Sequence, residues 1–430
     1  MAESSNAFAS LAPLTPLMDT CVHCGFCLQT CPSYLLLGKE TDSPRGRIYA
    51  MRAGLDGRLD MSPTVVEHFD TCLGCMACET ACPSGVKYAP LIEQTRVAVE
   101  HHHARPAGEQ RFRALLFRTL PYPSRLRLLG WPLALLGPVV RSSWVQRLIP
   151  QRFRPLAALA PDVTAGALLR DTPELTPASG ERRMRVGLVT GCVQRAYFGR
   201  VNDATARVLA AEGCEVVAPR TQGCCGALAL HAGEADQSRA FARALIASFE
   251  HAAVDRIVIN AAGCGSALKE YGHLLADDPA WAERAAAFSS KIRDVSEMLV
   301  ELGPPRAARH RIDARVAYHD ACHLAHAQGV RTQPRDLLTA IPGITLVPVA
   351  EAEVCCGSAG IFNLTQPEMA GQLGRRKAAH LSAANPTVVV TSNPGCLLQI
   401  QAAAREQGHD LPVRHLVDIL DASISGRAAI

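Results

Sequence analysis

The apolar residues of this 430-residue chain follow three regimes. In the first hundred residues they recur at helical spacing, most clearly over Arg45–Leu55 and Thr64–Asp70. From 101 to 180, leucines and aromatics (Phe112, Phe117, Trp131, Trp144) are interleaved with arginines, and no strand pattern emerges. From 181 to 425, short apolar runs alternate with longer amphipathic ones such as Ser238–His251 and Pro367–Ala384. That alternation predicts parallel strands joined through helices.

The last regime is written twice. A strand at Arg185–Val189 runs into Cys192, and one at Arg315–Tyr318 runs into Cys322. Vicinal cysteines follow in each copy, Cys224-Cys225-Gly226 and Cys355-Cys356-Gly357. Then the runs Ile257–Asn260 and Val388–Thr391 lead to turn cysteines Cys264 and Cys396. The offsets between copies are 130, 131 and 132 residues, the mark of a duplicated unit.

The N-terminal regime carries a second duplication. Cys21, Cys24, Cys27 and Cys31 read C-x2-C-x2-C-x3-C, and Cys72, Cys75, Cys78 and Cys82 repeat it. Pro32 and Pro83 close the two runs. This is the ligand spacing of a bacterial ferredoxin holding two [4Fe–4S] clusters, in which the cysteine before proline ligates the neighbouring cluster. Three soft thiolates at i, i+3 and i+6 let the backbone curl around one corner of a cubane. The expected sets are Cys21, Cys24, Cys27 and Cys82 for one cluster, and Cys31, Cys72, Cys75 and Cys78 for the other. Zinc sites use two separated pairs rather than four cysteines in a run.

The expected fold is therefore α+β and multidomain. It comprises a mainly helical two-cluster ferredoxin domain (1–100), a basic helical linker (101–180) and two duplicated α/β cysteine-rich domains (181–305 and 306–425). The arginines of Asp42-Ser43-Pro44-Arg45-Gly46-Arg47 are placed either beside a negatively charged cluster or on a solvated helix start.

In each α/β repeat four cysteines follow strand ends, where turns gather at one rim of the sheet. Cys192, Cys224, Cys225 and Cys264 form one candidate metal set, and Cys322, Cys355, Cys356 and Cys396 the other. Each set suits an iron–sulfur cluster or, less well, zinc. Cys214 belongs to no motif and reads as core. His319, His323 and His326 flank Cys322; they suit either a proton-coupled redox step or a hydrogen-bonded turn, and the turn is the favoured reading. His101-His102-His103 point in different directions on a helix and read as a helix end.

Composition narrows the setting. Net charge is +4, too mild to indicate nucleic acid. Met1–Thr20 has neither a basic n-region nor a continuous apolar core, so no signal peptide is expected. Seventeen cysteines without an export signal imply reduced thiols and a cytoplasmic protein. Leu128–Val140 is too short and too broken by proline to span a bilayer. From His101 to Ala160 there are ten arginines and one acidic residue, Glu109. That segment is either an amphipathic surface for anionic lipid or an acidic partner, or a linker packed across the protein. No dinucleotide fingerprint, P-loop or nucleophile elbow occurs, so electrons are expected to arrive from another polypeptide.

These residues resemble a known family. Cys21-Val22-His23-Cys24-Gly25-Phe26-Cys27, Thr30-Cys31-Pro32 and Asp42–Tyr49 are similar to the iron–sulfur subunit of glycolate oxidase (glycolate dehydrogenase), as are Ala261–Gly265 and Pro394-Gly395-Cys396 within the two Cys-Cys-Gly repeats. The likeness covers about residues 15 to 420. It implies a complex in which a FAD subunit oxidises glycolate to glyoxylate, a related flavoprotein-like subunit assists, and this chain relays electrons towards a quinone. It also implies a peripheral place on the cytoplasmic side of the inner membrane. Relatives of the same layout serve lactate utilisation, anaerobic glycerol-3-phosphate dehydrogenase and heterodisulfide reductase. In heterodisulfide reductases the repeat ends in C-x2-C, whereas Ala267 and Gln399 stand at that position here, which leaves an ordinary cluster or none in each repeat.

Overall fold

A computed structural model describes residues 6–140, 145, 148–150 and 157–428. Trp144 and four of the linker arginines lie outside the described residues. The N-terminal part is helical. Its helix Pro44–Leu55 starts where Ser43 Oγ accepts the Gly46 N–H at 3.0 Å, with Pro44 in the first turn. Ser62 and Pro63 begin Pro63–Asp70 in the same way. A longer helix, Tyr88–His102, closes the unit, and His101 and His102 lie exposed at its end.

Two sheets follow. The first is built from β1 (Leu175–Thr176), β2 (Met184–Val189), β3 (Cys214–Val217), β4 (Arg256–Ile259) and β5 (Ile292–Asp294), in the order β1-β3-β2-β4-β5. Only the edge strand β1 is antiparallel. The second contains β6 (Ala314–Tyr318), β7 (Ile344–Val347), β8 (Val388–Thr391) and β9 (Val413–His415), all parallel, in the order β7-β6-β8-β9. Apart from β1 the two orders are the same, as a duplication requires. In each, the chain reverses its winding between the first and third strands of the repeat, which opens a crevice at their carboxyl ends.

The two repeats share one core. Val186, Leu188 and Val258 belong to the same apolar cluster as Val316, Val389 and Val417. Helix Gly199–Ala211 packs on helix Leu416–Ser425, and Arg207 pairs with both carboxylate oxygens of Asp421 at 2.9 and 2.7 Å. Cys214 is fully buried in this core, and burial pushes its thiol up to about 11. The linker packs across the repeats through Leu116 and Phe117, which meet Ala232 and Ile361. Its helix Pro123–Val140 is held by the Tyr197 hydroxyl, which donates to the Leu126 carbonyl at 2.6 Å.

Candidate metal centre

The two ferredoxin runs fold alike. His23 and Gly74, each two residues past the first cysteine of its run, have φ of 53° and 61°. Gly25 and Met76, two residues further on, have φ of 89° and 59°. Left-handed backbone at these four points curls each run so that its thiols face inward, and for His23 and Met76 it is costly. Cys24 is exposed, Cys21 and Cys27 are half-buried, and Cys31, Cys72, Cys75 and Cys78 are buried.

Cys31, Cys72, Cys75 and Cys78 line one small cavity, so the last cysteine of the first run stands with three of the second. On the other side, the turn Phe26–Leu28 packs against helix Ala77–Ala81, which ends on Cys82. Burial and the neighbouring Cys75, Cys72 and Cys31 push the Cys78 thiol well up. Burial would raise Cys72 too, but the Arg47 and Arg96 guanidinium groups hold it below the usual thiol range. Four converging buried sulfurs with cations behind them fit a negatively charged cluster.

Arg47 supplies much of that compensation. It is almost wholly buried, and donates to His68 O at 2.5 Å, Thr71 Oγ1 at 3.0 Å and Ser33 Oγ at 3.1 Å. Burial alone would lower its pKa, yet Cys72, Tyr88, Cys31 and Asp42 together raise it above the ordinary arginine value. Arg45, two residues earlier, reaches the first run and donates to His23 O at 2.7 Å. Of the two alternatives for this motif, the one beside the cysteines is what the fold adopts.

In the repeats the cysteines gather at the two crevices. Cys192 and Cys224 lie 3.6 Å apart through sulfur, and Cys322 and Cys355 lie 3.8 Å apart. Cys264 and Cys396 sit in the first turns of helices Ala262–Lys269 and Pro394–Glu406. Hydrogen bonds from Cys224 and Cys264 push Cys225 well down, and those from Cys355 and Cys396 do the same to Cys356; the donating thiols are pushed up. Each set thus holds a ready thiolate among soft donors, which suits iron–sulfur chemistry. Ala267 packs in the core and Gln399 Nε2 donates to Ala370 O at 2.9 Å, so neither belongs to the donor sets.

The rims face each other: Ala262 N–H donates to Ser392 O at 3.2 Å, and Gly263 N–H to Asn393 Oδ1 at 3.4 Å. Between them and the linker lies an apolar cavity of about 750 Å³, reached by Cys192, Cys264, Cys322, His231, His323 and Asn393. His323 Nε2 lies 2.9 Å from Gly74 O, and His326 Nδ1 lies 2.8 Å from Thr80 Oγ1, so both rings join the second repeat to the second ferredoxin run. Leu73, Cys75, Cys322 and Cys355 share one apolar cluster. His231 packs against His323 with ring centroids 4.9 Å apart and planes tilted by 31°, and Arg96 donates to Cys72 O at 2.5 Å beside it. His231, Arg96 and Asn393 carry no sequence signal, because each acquires its role from residues distant in the chain.

Residues 17–86 match the 4Fe-4S dicluster domain, and residues 186–269 and 316–401 match the Cysteine-rich domain. The probable glycolate oxidase iron-sulfur subunit of Bacillus subtilis (strain 168) is 40% identical over 415 residues, covering 93% of this chain and 92% of that protein. The chain belongs to the glycolate oxidase iron–sulfur subunit family. The glycolate oxidase iron-sulfur subunit of Escherichia coli (strain K12) is 36% identical over 411 residues, 95% of this chain and 94% of its own length. Lactate utilization protein A of Exiguobacterium sp. (strain ATCC BAA-1283 / AT1b) is 30% identical over 239 residues, 56% of this chain and 98% of that protein. As a member of this family the chain is an iron–sulfur electron-transfer subunit of an oxidoreductase, with two [4Fe–4S] clusters as its ferredoxin-type cofactors.

Proposed function

We propose that this chain carries electrons from a FAD subunit oxidising glycolate to glyoxylate, assisted by a related flavoprotein-like subunit, to a quinone on the cytoplasmic face of the inner membrane. The observation that carries the reading is a continuous line of cysteine sites from surface to cavity. Exposed Cys24 stands at one end, and buried Cys75 packs against Cys322 at the other. When bound, the [4Fe–4S] clusters take up and release one electron at a time. Cys21, Cys24, Cys27 and Cys82 hold the outer one; Cys31, Cys72, Cys75 and Cys78 hold the inner one.

The residues around this line divide the labour. Val22 and Phe26, 68% and 63% exposed beside Cys24, offer an apolar patch on which the flavoprotein docks. Arg47 and Arg96 hold the buried Cys72 thiol below its usual range. His323 and Gly74 fix the distance between the inner set and the second repeat. The apolar cavity admits a flat ring, and reduction of the quinone there takes two electrons and two protons from water, matching the two of each released from glycolate.

Membrane contact rests on the linker. Among the described residues no helix is long and apolar enough to cross a membrane. Helix Pro123–Val140 nevertheless exposes Leu128, Leu135, Leu136 and Val139, with Leu129 and Pro132 of the same helix lining the cavity. An apolar helix face flanked by arginines suits the headgroup boundary of anionic lipid. A quinone leaving the bilayer would then enter the cavity directly.

The test is anaerobic purification of a tagged chain from its own host, followed by dye reduction with glycolate, D-lactate and glycerol 3-phosphate. Glycolate-dependent activity with a co-eluting FAD protein is the expected result. Activity with another substrate alone would keep the relay and overturn the glycolate assignment.

A further inference from the structure

The two cysteine sets of the repeats are not equivalent. His319 follows β6 directly and is 1% exposed, and no protein nitrogen or oxygen meets its ring nitrogens; the one group that they face is the Cys356 thiol. A buried imidazole left short of partners costs about 1–3 kcal/mol, and here the available partners are sulfur. One ring nitrogen and the sulfurs of Cys356 and Cys396 all lie within 4.8 Å of one another. The position 130 residues earlier, in the first repeat, is Val189, which offers no donor.

We propose that His319 is a nitrogen ligand of the iron–sulfur cluster held in the second repeat with Cys322, Cys355, Cys356 and Cys396. The inference rests on the reading that this repeat binds a cluster. Four of the five donors are soft sulfur, the ligand that iron–sulfur clusters take. The surroundings suit an anionic group: Lys377, 2% exposed, donates to the carbonyls of Glu351 and Ala352 close behind the vicinal pair. Asn393 Nδ2 adds a donor 3.4 Å from Cys396 Sγ. The first repeat has Val189 where the second has His319, so the duplication has diverged into an all-sulfur site and a mixed one. A histidine ligand raises the potential of a cluster, which makes the second-repeat site the better electron sink of the two.

The test uses the whole complex, purified anaerobically and reduced, with pulsed electron paramagnetic resonance of unaltered protein grown on ordinary or ¹⁵N-labelled histidine. The expected result is a nitrogen coupling that changes with the label and is lost in His319→Ala and His319→Gln. Isotope labelling needs no variant, so a poorly folded substitution does not blunt the experiment. A second-repeat cluster signal with no histidine coupling would overturn the inference, as would one zinc per chain lost on substitution. Iron content unaltered by Cys356→Ser would instead remove the cluster from the second repeat, and with it the premise.

Discussion

His323 donates its Nε2 hydrogen to the carbonyl oxygen of Gly74 across 2.9 Å, joining residues 249 positions apart in the chain. One partner is next to Cys322 and the other lies between Cys72 and Cys75. The ferredoxin domain is thereby pinned to the second repeat and not merely tethered to it.

Substituting His323→Leu should therefore separate two activities. It leaves a buried carbonyl unpaired, costing about 1–3 kcal/mol, and loosens the junction between the inner set and the cavity. Substrate-dependent reduction of a dye that docks at exposed Cys24 should persist, while reduction of a soluble quinone analogue falls. Equal loss of both would argue against a path through this junction.

Arg47→Met removes the cation between Cys31, Cys72 and Asp42. Breaking a buried charge pair costs about 3–5 kcal/mol, so the melting temperature should drop and the inner cluster be lost or shift to a more negative potential. Arg47→Lys keeps the charge but cannot reach Thr71, Ser33 and His68 together, and should fall between the two. Redox titration with iron analysis of the three proteins checks the order.

The cysteine runs were legible because their chemistry is local: three ligands lie within seven residues, and spacing alone reports them. The duplicated α/β units were legible through strands such as Val186–Val189 and Val388–Val390, whose apolar runs are buried on both faces. Contacts between domains were not. Nothing near Arg96 announces that it will touch Cys72 O and His231, because the fold brings them together over 24 and 135 positions. Spacing alone groups His319 with His323 and His326 as turn histidines; the latter two are hydrogen-bonded junction residues, and the Cys356 and Cys396 sulfurs beside its ring set His319 apart.

The double variant Leu128→Asp, Leu135→Asp should leave stability within about 0.5 kcal/mol at each site, since both side chains are exposed. Flotation with anionic vesicles should nevertheless be lost, with dye reduction intact. Undiminished flotation would sink the assignment of this helix to the membrane surface.

Asp294 caps helix Val295–Glu301, accepting from Ser296 N–H at 2.8 Å, and burial pushes its carboxyl from 3.8 up to about 6. A raised acid pKa means that stability is present below pH 3.8 and is lost as pH climbs through 6. The charged form then costs about 3 kcal/mol at pH 7.5, roughly 1 kcal/mol more than at pH 5.5. Asp294→Asn should thus gain on the wild type between those two values, and thermal unfolding at each shows whether the gap widens.

The most direct measurement adds glycolate anaerobically to the purified complex and follows the clusters by electron paramagnetic resonance. Reduced [4Fe–4S] signals with the coupling of two neighbouring clusters are expected; in Cys78→Ser the inner signal and the coupling should vanish while the outer signal remains. Bleaching of the flavin with both clusters still oxidised would contradict the relay, because electrons would then leave by another route.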